Sequence, residues 1–178
     1  MENQEEFEDN AEVSGKIVIA VLEGLPQYAD VLKEVFAHNQ LTDIDPNEWY
    51  DLNHFMGALK TIFTKFGPNT LFTLGKTVSG AFPHQFEDVI SALSALPPIY
   101  EASHRNGYVG YCKMVESDAT KRYARMESKT PYPVDYQRGL LTNMLRKYKD
   151  SYGLALEVKV ISNGERIDPD VLKFEVKW

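Results

Sequence analysis

Residues 172–178, Leu172-Lys173-Phe174-Glu175-Val176-Lys177-Trp178, alternate apolar and charged side chains without a break. A period of two belongs to a strand with one face on a core and the other toward water. Leu156, Val158 and Val160 carry the same pattern, and Ser162-Asn163-Gly164 offers a turn between the two runs. The C-terminus therefore reads as an antiparallel hairpin.

Upstream, Asn106-Gly107 opens a second pair of strand-like runs, Tyr108 to Val115 and Arg122 to Met126, joined through Glu116-Ser117-Asp118-Ala119. Between the hairpins Pro131 and Pro133 forbid helix. Asp135 can then cap one, with Leu140, Leu141, Met144, Leu145 and Tyr148 as its apolar stripe and Gly153 as its end. Two hairpins joined by one long crossover helix make an antiparallel sheet of about four strands, covered on one side.

The chain before Asn106 has helical texture. After Asp51, the residues Leu52, Phe55, Met56, Leu59, Ile62, Phe63 and Phe66 keep helical spacing until Gly67-Pro68. Pro26 suits the first turn of an earlier helix reaching about His38. After Pro68 a further helix carries Leu71, Phe72, Leu74 and Val78; after Pro83 another carries Phe86, Val89, Ile90, Leu93 and Leu96, and Pro97-Pro98 is expected to break it. Gly75, Gly80 and Gly107-x-x-Gly110 lack the spacing of a phosphate-cradling loop and look like helix ends and tight turns. The β-branched run at 16–22 is too short for periodicity to separate strand from helix. The fold class is α+β: N-terminal helices packed on a C-terminal sheet.

Composition narrows the function. Of the 178 residues 43% are hydrophobic and 25% charged, which is a globular balance. Residues 1–14 carry six acids, no base and little apolar surface, so they are expected to be a disordered acidic tail ahead of a single domain at 15–178. A formal charge of −7 opposes a phosphate backbone, so no nucleic acid is expected. The basic clusters Lys121, Arg122, Arg125 and Arg146, Lys147, Lys149 are read as solvated faces. No run is long enough to span a bilayer, and the acidic N-terminus lacks the basic start and apolar run of a secretory signal; a cytoplasmic protein is expected. Cys112 is the single cysteine, which excludes an intramolecular disulfide and a zinc site of paired thiolates. In a strand it reads as a buried, inert thiol.

Catalysis needs a nucleophile with its base, a carboxylate pair with separated pKa values, or a metal, and none stands out. His38, His54, His84 and His104 have no spacing that places two on one helical face. The expectation is a non-enzyme without a metal site.

Three segments carry a family resemblance: Leu96-Pro97-Pro98-Ile99-Tyr100; Thr130-Pro131-Tyr132-Pro133-Val134-Asp135-Tyr136-Gln137-Arg138-Gly139-Leu140-Leu141; and the terminal Phe174-Glu175-Val176-Lys177-Trp178. They resemble a superfamily that holds the 4-vinyl reductase domains, the haem nitric-oxide/oxygen-binding domains and small subunits of the Golgi-transport tethering complex. In layout the chain is most similar to uncharacterised single-domain bacterial members of myxobacterial type. The resemblance implies a ligand pocket between helices and sheet. The late cysteines suited to zinc in the 4-vinyl reductase domains have no counterpart here. Haem-binding members use a histidine ahead of the sheet as iron ligand and a Tyr-x-Ser-x-Arg cluster to hold the haem carboxylates. By resemblance His104 stands for the first and Tyr132, Tyr136 and Arg138 for the second, without the serine spacing.

The expected function is thus a non-catalytic binding or sensing module, with a signalling role and an unidentified small hydrophobic or acidic ligand. Its pocket is expected to use Phe55, Leu59, Phe63, Leu74, Phe86, Ile90, Tyr100, Tyr132, Tyr136 and Arg138. No cofactor is expected in that reading. One alternative is an interaction or scaffold module of Golgi-tethering type; the other is a haem-based gas sensor with His104 on the iron. A homodimer or a signalling partner fits any of them.

Overall fold

The structure, a computed structural model, describes residues 10–82, 86–146, 148, 156–161 and 171–178. The expected turn at Ser162-Asn163-Gly164 and helix end at Gly153 lie outside these residues, as does the helix start at Pro83.

Among the described residues seven strands and six α-helices follow in the order β1 (Glu12–Ser14), α1 (Gly15–Leu22), α2 (Ala29–His38), β2 (Trp49–Asp51), α3 (Leu52–Phe66), α4 (Pro68–Val78), α5 (Val89–Ala102), β3 (His104–Arg105), β4 (Tyr111–Asp118), β5 (Tyr123–Lys129), α6 (Val134–Arg146), β6 (Glu157–Ile161) and β7 (Leu172–Lys177). The larger sheet has the order β4-β5-β7-β6 and is antiparallel throughout. Because β5 and β6 both flank β7, they run parallel to each other, and α6 is the crossover between them. Ala124, Met126, Phe174 and Val176 are buried, while their strand neighbours Arg125, Glu175 and Lys177 are not. That alternation seats one face of the sheet on the helices.

The open run at 16–22 is helix α1, capped by the Ser14 hydroxyl, which accepts from the Lys16 N–H. The tail boundary moves. Ala11 and Val13 are buried, and residues 12–14 pair with β2 and β3 in a small second sheet. Two apolar residues spaced by two are enough for this when neighbouring strands take up their backbone bonds. Strands of two and three residues leave no periodicity to read, so the second sheet had no sequence signal.

Helix α5 corrects another expectation: it starts at Asp88, whose side chain accepts from the Ser91 N–H, and continues through Pro97 and Pro98. Proline has no N–H for the carbonyl four residues back, so Leu93 and Ser94 lose that partner. Packing outweighs the loss. Val89, Ala92, Leu93 and Leu96 anchor the first part in the core; the Tyr100 hydroxyl donates to the Val109 carbonyl at 2.5 Å and the Ser14 N–H to the Ser103 carbonyl at 2.9 Å. The turn between β4 and β5 also shifts, to residues 119–122, because a bulge between Met114 and Glu116 lets β4 run on to Asp118. Asp135 lies inside the first turn of α6 and does not cap it.

Gly75 of α4 and Gly139 of α6 are mid-helix, which corrects the reading of Gly75 as a helix end. A Cβ on Gly75 would lie 1.9 Å from the Tyr136 carbonyl oxygen, and one on Gly139 would lie 2.0 Å from that of Phe72. The two backbones cross in contact. No helix among the described residues is long and apolar enough to cross a membrane.

Candidate functional site

Where the end of α5, the start of α6 and the inner face of β5 and β7 meet, the packing leaves a cavity of about 70 Å³. Tyr100, Ser103 and His104 reach it from the end of α5, Tyr132, Tyr136 and Gln137 from the start of α6, and Met126 and Phe174 from the sheet. The continuation of α5 past its prolines brings Tyr100 and Ser103 there.

His104 is the centre of a hydrogen-bonded chain. Its Nδ1 lies 2.8 Å from the Tyr100 carbonyl, which can only accept, so Nδ1 carries the proton. Nε2 is then an acceptor and takes the Tyr132 hydroxyl at 2.6 Å. Rings enclose the imidazole: the Tyr100 centroid is at 4.5 Å and that of Tyr132 at 5.7 Å. Tyr132 in turn stacks on Tyr136 at 5.3 Å and meets Phe55 edge-on at 6.4 Å. Gln137 donates to the Tyr132 carbonyl at 2.6 Å and accepts from Ser128, which fixes the segment entering α6.

Burial sets the protonation states. It lowers the His104 pKa from the ordinary 6.5, against a smaller upward pull from the bond to Tyr100, and the ring is neutral near pH 7. It raises the phenols of Tyr100, Tyr132 and Tyr136, and pushes the Cys112 thiol up to about 12. Among the described residues the cavity wall is uncharged apart from Glu127, whose carboxylate pairs with Lys113 and Lys173.

This predicts a pH dependence. Below about pH 6.5 the unfolded chain takes up a proton on His104 that the folded chain resists, so stability falls with pH toward the lower folded value. Urea titrations between pH 7 and 5 should show wild type losing up to roughly 1.4 kcal/mol per pH unit more than His104→Gln. Equal slopes would mean that the imidazole is not held neutral by burial.

Of the ten residues expected to hold a ligand, Tyr100, Tyr132 and Tyr136 line this cavity. Phe55, Leu59 and Leu74 are core side chains with no exposure, Phe86 and Ile90 pack half-buried against that core, and Phe63 is 47% exposed. Arg138 sits elsewhere, its guanidinium 5.0 Å from the Phe72 ring centroid and bonded to Asp135 at 3.1 Å. Ser103, Cys112, Ser128 and Gln137 line the cavity without having been singled out for it. The polar turn after His104 hid that residue's role: Arg105 and Asn106 face away and bind Glu12 of β1, while the imidazole points inward.

The haem arrangement implied by the resemblance is met in one part only. A cavity-lining imidazole with Nδ1–H on a backbone carbonyl shares that second bond with metal-ligating histidines. The rest does not fit. Among the described residues no lysine or arginine lines the cavity to hold two carboxylates, Tyr132 covers Nε2, and about 70 Å³ is far below the roughly 300–1,000 Å³ of pockets for drug-sized molecules. Among the described residues no three His, Cys, Asp or Glu side chains converge on a metal position.

No protein-family model and no curated protein matches the chain. Solved structures do, along almost its whole length. An Fe(II) unliganded mutant of an H-NOX protein from K. algicida aligns with a TM-score of 0.68 at 12% identity, over 92% of this chain and 95% of its own. The H-NOX protein of S. oneidensis in its Fe(II)NO ligation state gives 0.68 at 8%, over 92% and 98%. A structure from work on heme distortion in the H-NOX family gives 0.66 at 21%, over 93% and 94%. Of the groups that the sequence resembles, the haem nitric-oxide/oxygen-binding one thus supplies these three structural matches. Backbone likeness at such identities speaks for architecture and not for a ligand. The chain has the fold of the H-NOX domains.

Proposed function

We propose that this chain is a non-catalytic ligand-sensing domain whose sensing site is the cavity around His104. The observation that carries the reading is the cavity itself: an apolar hollow crossed by one hydrogen-bonded imidazole, at the junction of α5, α6 and the sheet. The titratable groups around it favour a binding role over turnover. Burial holds the histidine, the thiol and the three phenols in their neutral forms, and the imidazole nitrogens both have partners. A ligand that displaces the Tyr132 hydroxyl from Nε2 would uncouple the end of α5 from the start of α6. Such a ligand shifts the position of α6 only by as much as it prefers the opened arrangement.

The test is a native mass spectrum of protein purified without added cofactor. The expected result is an extra mass lost on denaturation; a bare chain that stays bare after exposure to cell extract would overturn the reading and favour an interaction module.

The haem-based gas sensor is the specific version with the most support, from the H-NOX structures and from the tautomer of His104. It requires the His104–Tyr132 bond to open and the cavity to widen. An absorption spectrum with added haem decides it. A Soret band lost in His104→Ala assigns haem, and a spectrum that is a plain sum of protein and unbound haem removes it.

A further inference from the structure

Among the described residues, every hydroxyl and amide side chain lining the cavity has a protein partner except one. Tyr132 donates to His104, Tyr100 to the Val109 carbonyl, Ser103 to the Ile99 carbonyl and Ser128 to Gln137, while Thr130 lies 3.5 Å from Ser128. Tyr136 lines the same cavity at 2% exposure, and its hydroxyl is buried with no hydrogen-bond partner. Buried hydroxyls in native proteins are almost always satisfied, so an orphan one beside a cavity marks the place of a missing partner.

We infer that the occupant of the cavity is a small, uncharged molecule, apolar except for one acceptor oxygen, which takes the Tyr136 hydroxyl. The inference rests on the cavity being the sensing site. The Tyr136 ring stacks on that of Tyr132, with centroids 5.3 Å apart. Burial keeps the phenol protonated, which makes it a donor and its partner an acceptor. With no cation among the described lining residues, a carboxylate or phosphate would be desolvated without compensation, and this argues against the acidic ligand that the sequence left open. Size sets a further limit: the hollow is under half of the ~150 Å³ known to admit benzene, so it takes a ketone or aldehyde of a few heavy atoms. A surface groove of about 400 Å³, beside Lys16, Glu48 and Trp49, shares Ile17, Phe82 and Ser103 with the cavity as a common wall.

The probes are 2-butanone and 2-methyl-1-butene, the same shape with and without the oxygen, titrated into the labelled full chain by NMR. Wild type should bind the ketone roughly 3- to 10-fold more tightly, the usual range for one neutral hydrogen bond, and Tyr136→Phe should erase the preference while leaving the hydrocarbon's affinity unchanged. A preference that is absent in wild type, or that survives in Tyr136→Phe, overturns the inference. If Tyr136→Phe does not fold, the carbonyl stretch of the ketone bound to wild type answers instead: a shift below its value in alkane supports the hydrogen bond, and an unshifted band refutes it. Failure of both probes to move any cavity resonance overturns the sensing site itself, a different result from binding without preference.

Discussion

Gly75→Ala and Gly139→Ala should each cost the fold about 3 kcal/mol or more, although alanine is the better helix former by about 1 kcal/mol. Both positions lie inside helices, where local propensity alone would make the substitution stabilising. The added methyl meets main chain instead: 1.9 Å from the Tyr136 carbonyl oxygen in one case, 2.0 Å from that of Phe72 in the other. Backbone cannot rotate out of the way as a side chain can, so α4 and α6 must separate along their crossing. Gly80→Ala is the control, since none of the described residues lies within 4 Å of a Cβ there, and it should stay within roughly 0.5 kcal/mol of wild type. Urea midpoints at constant m-value measure all three. A neutral or stabilised Gly75→Ala would mean that the helices do not cross in contact.

The consequence reaches the site, because the carbonyl pressed against Gly75 belongs to Tyr136, the residue with the unfilled hydroxyl. Holding α6 by its backbone fixes the tyrosines without using their side chains. This part of the design could not be seen in the sequence, where Gly75 and Gly139 are isolated glycines 64 positions apart. Contact between them exists only after the chain has folded. Legible elements were those that a local period encodes: the stripe from Leu52 to Phe66, the alternation in β7, and the crossover after Pro133. Where a tertiary contact outweighs a local rule, the reading fails. Helix α5 passes its two prolines because the core holds one end and Tyr100 the other. His104 was placed from the family resemblance alone; its neighbours Arg105 and Asn106 are polar because they clasp Glu12 on the outside.

Phe55 and Phe63 sharpen the same lesson and give the second large effect. Both belong to the apolar stripe of α3 and both were expected at the ligand, yet one is fully buried and the other 47% exposed. Eight residues are a little over two helical turns, so the pair shares a face at that spacing only approximately, and the position of the neighbouring elements decides which of them is covered. Phe55 packs edge-on between Phe36 at 6.3 Å and Tyr132 at 6.4 Å, joining the helical core to the ring that covers His104. Phe55→Ala should therefore destabilise by about 3–5 kcal/mol, the usual cost of emptying a buried phenylalanine site, and Phe63→Ala by no more than roughly 0.5 kcal/mol. The loss should also be felt at the site. Without the Phe55 edge Tyr132 can tilt, so His104 should titrate nearer its ordinary 6.5 in Phe55→Leu, a milder variant that keeps the fold. Imidazole carbon shifts followed by NMR against pH read this directly. An unchanged His104 titration in a destabilised Phe55→Leu would show that the core supports the fold without positioning the tyrosine.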